Sequence, residues 1–188
     1  MAPGELEDLV PKLHAAKNEV FLDLVRDGSI ALRQGIARLL DELAAEGVRT
    51  AIATTGSWDW VVELLSVLLG AGRLARLDPI VTRQDCTRLK PDPELYLVAL
   101  QRLGCPPAAV VAMEDSSLGL AAAKAAGLAC VVVRNAYTRN QDFSGADLVV
   151  DDLGDAGAPA VVVDDPRSAV TDGVVGAGTL ERLLSPAP

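Results

Sequence analysis

The chain has 188 residues, half of them hydrophobic, and 17 Lys and Arg against 26 Asp and Glu give a formal net charge of −9. This apolar fraction suffices for a packed core, which excludes disorder as the main state. The acidic balance argues against nucleic acid or an anionic membrane as a partner, because both require a basic face. The three cysteines form no Cys-x-x-Cys pair, and neither a signal sequence nor an apolar run of membrane length is recognisable. We therefore expect a cytoplasmic chain of one domain, with room for a remnant of a second.

Hydrophobic periodicity predicts helices and strands that alternate along the chain. In order, the predicted elements are helices over 5–27 and 33–46, a strand over 48–53, a helix ending at Gly70, a strand over 79–81, a helix over 93–103, a strand over 110–113, a helix over 118–126, strands over 130–133 and 148–150, and a helical turn over 180–184. Short apolar runs separated by helices are typical of parallel strands covered on both faces. The sequence therefore predicts an α/β fold with a doubly wound parallel sheet and right-handed crossovers.

Polar residues follow the predicted strands at the places where such sheets bind ligands, beyond the carboxyl ends of the strands. Residues 54–57 (Thr-Thr-Gly-Ser) combine hydroxyls with backbone N–H groups at a helix start, which suits an anion. The alternative is that these residues only cap the helix. Lys90 precedes a proline-stiffened helix start, where its ammonium could neutralise a phosphoryl oxygen, although most lysines are simply solvated.

Glu114 and Asp115 place two carboxylates at the end of one strand. Like charges repel there unless they share a cation. Mg²⁺ binds one or two carboxylates together with water and phosphate oxygens. The alternative, that these acids cap the next helix, suits Asp115 but explains the pair poorly.

The order of these groups resembles the haloacid dehalogenase (HAD) superfamily. Residues 51–57 (Ala-Ile-Ala-Thr-Thr-Gly-Ser) resemble its second motif and residues 90–94 (Lys-Pro-Asp-Pro-Glu) its third. Residues 114–119 (Glu-Asp-Ser-Ser-Leu-Gly), with 122–127 after them, resemble its fourth motif, in the form found in the branch of beta-phosphoglucomutase and CbbY-like sugar-phosphate phosphatases. The resemblance extends over residues 12–150.

The resemblance implies a Rossmann-like core over residues 30–188, preceded over 1–29 by a helical remnant of the cap domain. It also implies a Mg²⁺-dependent phosphatase or phosphomutase that acts on a small phosphorylated metabolite, a sugar phosphate. The residues implied to bind phosphate or substrate are Lys17, Thr54, Thr55, Gly56 and Lys90, and the resemblance implies that Thr54 and Lys90 are also catalytic. The residues implied to bind Mg²⁺ are Glu114 and Asp115.

The family's first motif, Asp-x-Asp after a strand, does not occur in the 188 residues. In the family this motif supplies the carboxylate that forms a covalent aspartyl-phosphate, so we expect the chain alone to be inactive or nearly so. The strand that carries it stands between the strands predicted over 48–53 and 110–113. We therefore expect a truncated core with two unpaired edges, which invite homo-oligomers or completion by another segment.

Two further alternatives remain. Residues 160–165 (Ala-Val-Val-Val-Asp-Asp) could fill the gap and present Asp164 as a substitute nucleophile, although an edge strand or loop is the favoured interpretation. The chain could also be a degenerate, non-catalytic phosphate- or metal-binding protein. The intact charged residues of the second to fourth motifs favour the enzyme.

Overall fold

Helices and strands alternate along residues 3–185, the part of the chain that the structure, a computed structural model, describes. The helices are α1 (Pro3–Arg26), α2 (Ile36–Ala45), α3 (Trp58–Leu74), α4 (Glu94–Leu103), α5 (Ser117–Ala125) and α6 (Ala177–Leu184). The strands are β1 (Thr50–Ala53), β2 (Leu77–Val81), β3 (Val111–Glu114), β4 (Ala129–Val133), β5 (Leu148–Val150) and β6 (Val162–Asp164). The predicted order of helices and strands is confirmed.

The strands form two separate sheets. In one sheet β1 runs parallel to β2, and in the other β3, β4 and β5 are parallel and β6 is antiparallel to β5. Within residues 3–185, no strand pairs with the free edge of β1 or with the free edge of β3. The predicted α/β class is confirmed, and the sheet is interrupted between β1 and β3, where the family resemblance implies a gap.

Burial along the strands reflects this interruption. Every residue of β1 is half-buried, whereas every residue of β5 is buried. In β4, Cys130 and Val131 have no exposed surface. The best-covered part of the sheet therefore lies at β4 and β5, and β1 is covered incompletely.

β6 lies at the outer edge of the four-stranded sheet, on the far side of β5 from β3. Its three residues, including Asp164, are exposed. The alternative in which residues 160–165 fill the gap beside β1 is therefore wrong. The segment is an edge strand, which the favoured interpretation of an edge strand or loop includes, and it pairs antiparallel with β5.

The segment predicted as a cap remnant is the long helix α1, which packs against α3. Phe21 of α1 and Trp60 of α3 have ring centroids 6.0 Å apart, and Leu22 and Val25 are buried. The predicted end of α3 at Gly70 corresponds to a residue with non-helical backbone angles inside the helix. Among the helices described over residues 3–185, none has the length and apolar composition to cross a membrane.

Candidate active site

Lys90 connects the two sheets at the carboxyl ends of their facing strands. Its Nζ donates to the carbonyl of Ala53, the last residue of β1, at 2.9 Å. The same Nζ lies 2.5 Å from Oε1 of Glu114, the last residue of β3. The two side chains are 14% and 7% exposed, so the ion pair is largely screened from water. The structure thus brings together the ends of β1 and β3, which no strand pairing joins.

Tyr96 completes the surroundings of the Glu114 carboxylate. Its hydroxyl donates to Glu114 Oε1, and Lys90 Nζ lies 4.9 Å from the centre of its ring. The pKa of Tyr96 is raised well above its ordinary value, mainly because the side chain is buried and secondly because the charge of Glu114 lies nearby. The tyrosine therefore stays protonated and acts as a donor. Sequence reasoning missed it; the signal was a tyrosine on the buried face of a helix, since a buried hydroxyl usually needs a partner.

The predicted phosphate loop, residues 54–57, follows β1 directly. The Thr54 amide donates to the Val81 carbonyl of β2 at 2.9 Å, which continues the pairing of β1 with β2. The Thr54 hydroxyl accepts the Gly56 amide at 3.1 Å. Among the hydrogen bonds of the described residues, the backbone amides of Thr55 and Ser57 have no protein acceptor. The loop therefore keeps free donors at the start of α3, as an anion site requires.

Gly56 is required by its packing. A Cβ on this residue would lie 2.6 Å from Cγ2 of the buried Val61 and 3.7 Å from the ring of Trp60. The Gly56 carbonyl accepts the Arg83 amide at 3.2 Å, so the segment after β2 also holds the loop. The side chain of Gln84 accepts the amide of Trp58, the first residue of α3, at 3.1 Å.

Glu114 and Asp115 do not face the same point. The Glu114 carboxylate turns inward to Lys90, and a Cβ on Gly119 would lie 1.8 Å from its Oε2. Asp115 is exposed, and its Oδ2 accepts from Asn135 Nδ2 at 3.2 Å. The two predicted metal ligands thus diverge, and only Asp115 presents its carboxylate to solvent.

Asp115 is the predicted ligand whose carboxylate is best placed to bind Mg²⁺. Its Oδ1 accepts no hydrogen bond from any side chain or amide in the described part of the chain. Mg²⁺ commonly takes one or two carboxylates and completes its shell with water and phosphate oxygens. Residues 3–185 contain no cluster of three or more His, Cys, Asp or Glu that could enclose a metal by itself. Asp115 can therefore supply one ligand, with Glu114 engaged by Lys90.

Lys17 is an exposed residue of α1. No hydrogen bond or ion pair among the described residues joins it to Lys90, Asp115 or the phosphate loop. Trp58 is 46% exposed beside that loop, whereas the ring of Trp60 lies between α1 and Gly56. The structure thus brings together predicted residues of the second to fourth motifs through Lys90 and Glu114, and the contacts described over residues 3–185 do not include Lys17.

Comparison with known proteins identifies a matching family and several relatives. The chain matches the haloacid dehalogenase-like hydrolase family over residues 4–133. A CBBY-like protein of Arabidopsis thaliana is 38% identical over 152 residues, which are 81% of this chain and 47% of that protein. Protein CbbY of Rhodobacter capsulatus is 38% identical over 161 residues, which are 86% of this chain and 71% of that protein. The chain thus spans about half the length of the Arabidopsis relative.

Solved structures agree in fold. CbbY from Rhodobacter sphaeroides in complex with phosphate has 42% sequence identity and a TM-score of 0.70, over 76% of this chain and 64% of that one. A mutant of that protein was solved in complex with xylulose-(1,5)bisphosphate, with the same values. A beta-phosphoglucomutase from Clostridium difficile, 24% identical with a TM-score of 0.58 over 72% of this chain and 57% of that one, shares the fold. The resemblance inferred from the motifs is confirmed, and the chain belongs to the haloacid dehalogenase-like hydrolase family, with CbbY proteins among its relatives.

Proposed function

We propose that this chain carries the phosphate- and Mg²⁺-binding part of a phosphatase site for a small sugar phosphate. The observation that carries the proposal is the double contact of Lys90 with Ala53 and Glu114. That contact brings the Glu114 carboxylate, at the end of β3, to the same ammonium group as the Ala53 carbonyl, which directly precedes residues 54–57. The crystal structures of CbbY with phosphate, and of a CbbY mutant with xylulose-(1,5)bisphosphate, support a phosphorylated sugar as the substrate class.

Lys90 and the loop after β1 would hold the phosphoryl group. A lysine ammonium has three N–H donors, and two of them are used by Ala53 and Glu114. The third remains for a phosphoryl oxygen. The Thr54 hydroxyl and the Thr55 amide would supply further donors, and the N-terminus of α3 would add its dipole. Lys17 would reach the substrate from α1.

Asp115 would hold Mg²⁺, and the cation would neutralise charge on the phosphoryl oxygens. Glu114 contributes in this geometry by fixing Lys90, because its Oε1 accepts from both Lys90 and Tyr96.

We further propose that the 188-residue chain turns over slowly or not at all by itself. It contains no Asp-x-Asp sequence to provide an attacking carboxylate. A strand between β1 and β3, parallel to both, would end beside Lys90. A carboxylate at its end would stand next to the proposed phosphate site.

The test is phosphate release from an aryl phosphate and a panel of sugar phosphates, with and without Mg²⁺. We expect little release from this chain, together with binding of inorganic phosphate detected by ³¹P NMR. Fusion of an apolar strand ending in Asp-x-Asp should restore Mg²⁺-dependent release. In the fusion protein, Asp115→Asn should then lower phosphate release at least tenfold. Lys90→Ala should abolish phosphate binding, and circular dichroism should show that this variant is folded.

Release from the unmodified chain that Asp115→Asn and Lys90→Ala leave unchanged would refute the proposed site. The second candidate, a non-catalytic phosphate- or metal-binding protein, is favoured by the missing Asp-x-Asp. It predicts phosphate binding that no added strand converts into turnover.

A further inference from the structure

We propose that Asn135 is a positioning residue that fixes the Asp115 carboxylate and leaves one of its oxygens for a cation. The inference rests on the proposed function, because that function gives Asp115 its ligand. Asn135 lies two residues beyond β4 and 20 residues along the chain from Asp115, outside the second, third and fourth motifs.

The orientation of the Asn135 side chain is determined by its own turn. Its Oδ1 accepts the backbone amides of Tyr137 at 2.8 Å and Thr138 at 3.1 Å. Two amide donors can be satisfied only by the carbonyl end of the side chain. Nδ2 therefore points the other way, where it donates to Asp115 Oδ2 at 3.2 Å.

This turn is anchored in the fold. The Asn135 amide donates to the hydroxyl of Thr138, a residue only 8% exposed, at 3.1 Å. At the other end of the same loop, Gln141 Oε1 accepts the amide of Ser117, the first residue of α5, at 2.8 Å. Residues 135–141 thus hold the segment that carries Asp115 at two points.

The chemistry of the contact distinguishes Asp115 from its neighbour. Glu114 is paired with an ammonium, which cancels its charge. Asn135 is neutral, so its hydrogen bond orients Asp115 without placing a positive charge beside the carboxylate. With Oδ2 occupied, Oδ1 is the oxygen presented to a cation. Without this contact, the exposed Asp115 side chain would lose conformational entropy when the metal binds, and this loss would weaken binding.

The contact is tested first without metal, by NMR of the full chain. The side-chain amide resonances of Asn135 should shift in Asp115→Ala, while the backbone amide of Thr138, on the other side of the turn, keeps its shift. Asp115 is exposed, so this variant is expected to fold. Unchanged Asn135 side-chain resonances would overturn the proposal.

The role is tested by titrating Mg²⁺ alone and following the backbone amide shifts around residue 115. We expect Asn135→Ala to weaken Mg²⁺ binding about tenfold, as loss of a ligand-orienting contact commonly does. Thr138→Val is the matched control, because it disturbs the same turn and leaves Nδ2 in place; its Mg²⁺ affinity should stay within about twofold. Equal losses in both variants, or none in Asn135→Ala, would overturn the proposal.

A wild-type chain that binds no Mg²⁺ would refute the proposed metal site, and the metal-free experiment would still decide whether Asn135 holds Asp115.

Discussion

At the scale of single residues, one buried carboxylate organises the candidate site. Glu114 accepts from both Lys90 and Tyr96 through the same oxygen. A charge that is 7% exposed is costly unless it is paired and hydrogen-bonded, so each partner contributes to folding as well as to the site. The motif order predicted Lys90 and Glu114 as site residues but could not predict that they pair.

Tyr96→Phe isolates the hydroxyl contact from the ion pair. It removes a hydrogen bond to a buried charged group, which contributes about 1.5–3 kcal/mol. We therefore expect the free energy of unfolding in urea to fall by about that amount. The matched control is Tyr137→Phe at the other tyrosine, which is 95% exposed and should change stability by less than about 0.5 kcal/mol. Equal stability of the two variants would show that the Tyr96 hydroxyl contributes nothing to Glu114.

At the scale of elements, the boundaries were predictable wherever local sequence determines them. The apolar runs gave β2, β4 and β5 within two residues of their observed limits, and Gly70 interrupts α3 where its backbone departs from helical angles. These features depend on hydrophobic periodicity and on glycine, both readable over a short window.

Contacts between distant elements were not predictable in the same way. Tyr96 and Glu114 are 18 residues apart, and Gln141 and Ser117 are 24 residues apart. Their partners depend on how α4 and the loop after β4 pack against β3 and α5. A pattern within one element contains no information about the side chain it meets across the fold, so the sequence could not show which groups Tyr96, Asn135 and Gln141 contact.

The close approach of α5 to β3 leads to a prediction at Gly119. A Cβ there would lie 1.8 Å from Glu114 Oε2, a carboxylate that Lys90 and Tyr96 hold in place. Gly119→Ala should displace this carboxylate and lower the free energy of unfolding by about 1–3 kcal/mol, although alanine is the better helix former.

Gly178→Ala in α6 is the matched control, since the nearest atom to its Cβ would be Arg182 Nη1 at 3.4 Å. This variant should be neutral or slightly stabilising. Urea unfolding of both proteins measures the difference. A Gly119→Ala protein as stable as Gly178→Ala would mean that Glu114 moves aside at no cost, and that α5 does not fix its position.

At the scale of the whole molecule, side chains bridge an interruption of the sheet. β1 with β2 and β3 with β4–β6 are separate sheets, joined near their carboxyl ends by Lys90 and packed together by α4, which contacts β1, β2 and α5. The class of fold followed from alternating apolar runs and helices. The position of the interruption followed from the family resemblance, because no local pattern reveals which strands become neighbours.

In the part of the chain that the structure describes, the edges of β1 and β3 at the interruption pair with no strand, so their backbone N–H and C=O groups can pair with another chain. We therefore expect this chain to associate as its concentration rises, which sedimentation velocity would show as a shift toward dimers or larger species. The outer strands β2 and β6 offer two further edges, and Val162 of β6 is 42% exposed. Val162→Lys tests the β6 edge, because a charge on β6 discourages pairing there and leaves β1, β2 and β3 unchanged. Association that persists in this variant excludes β6 and leaves the interruption or the outer edge of β2, whereas association that it abolishes would place the contact at β6. A monomer that unfolds cooperatively at every concentration would show instead that Lys90 and α4 close the interruption well enough to protect both edges.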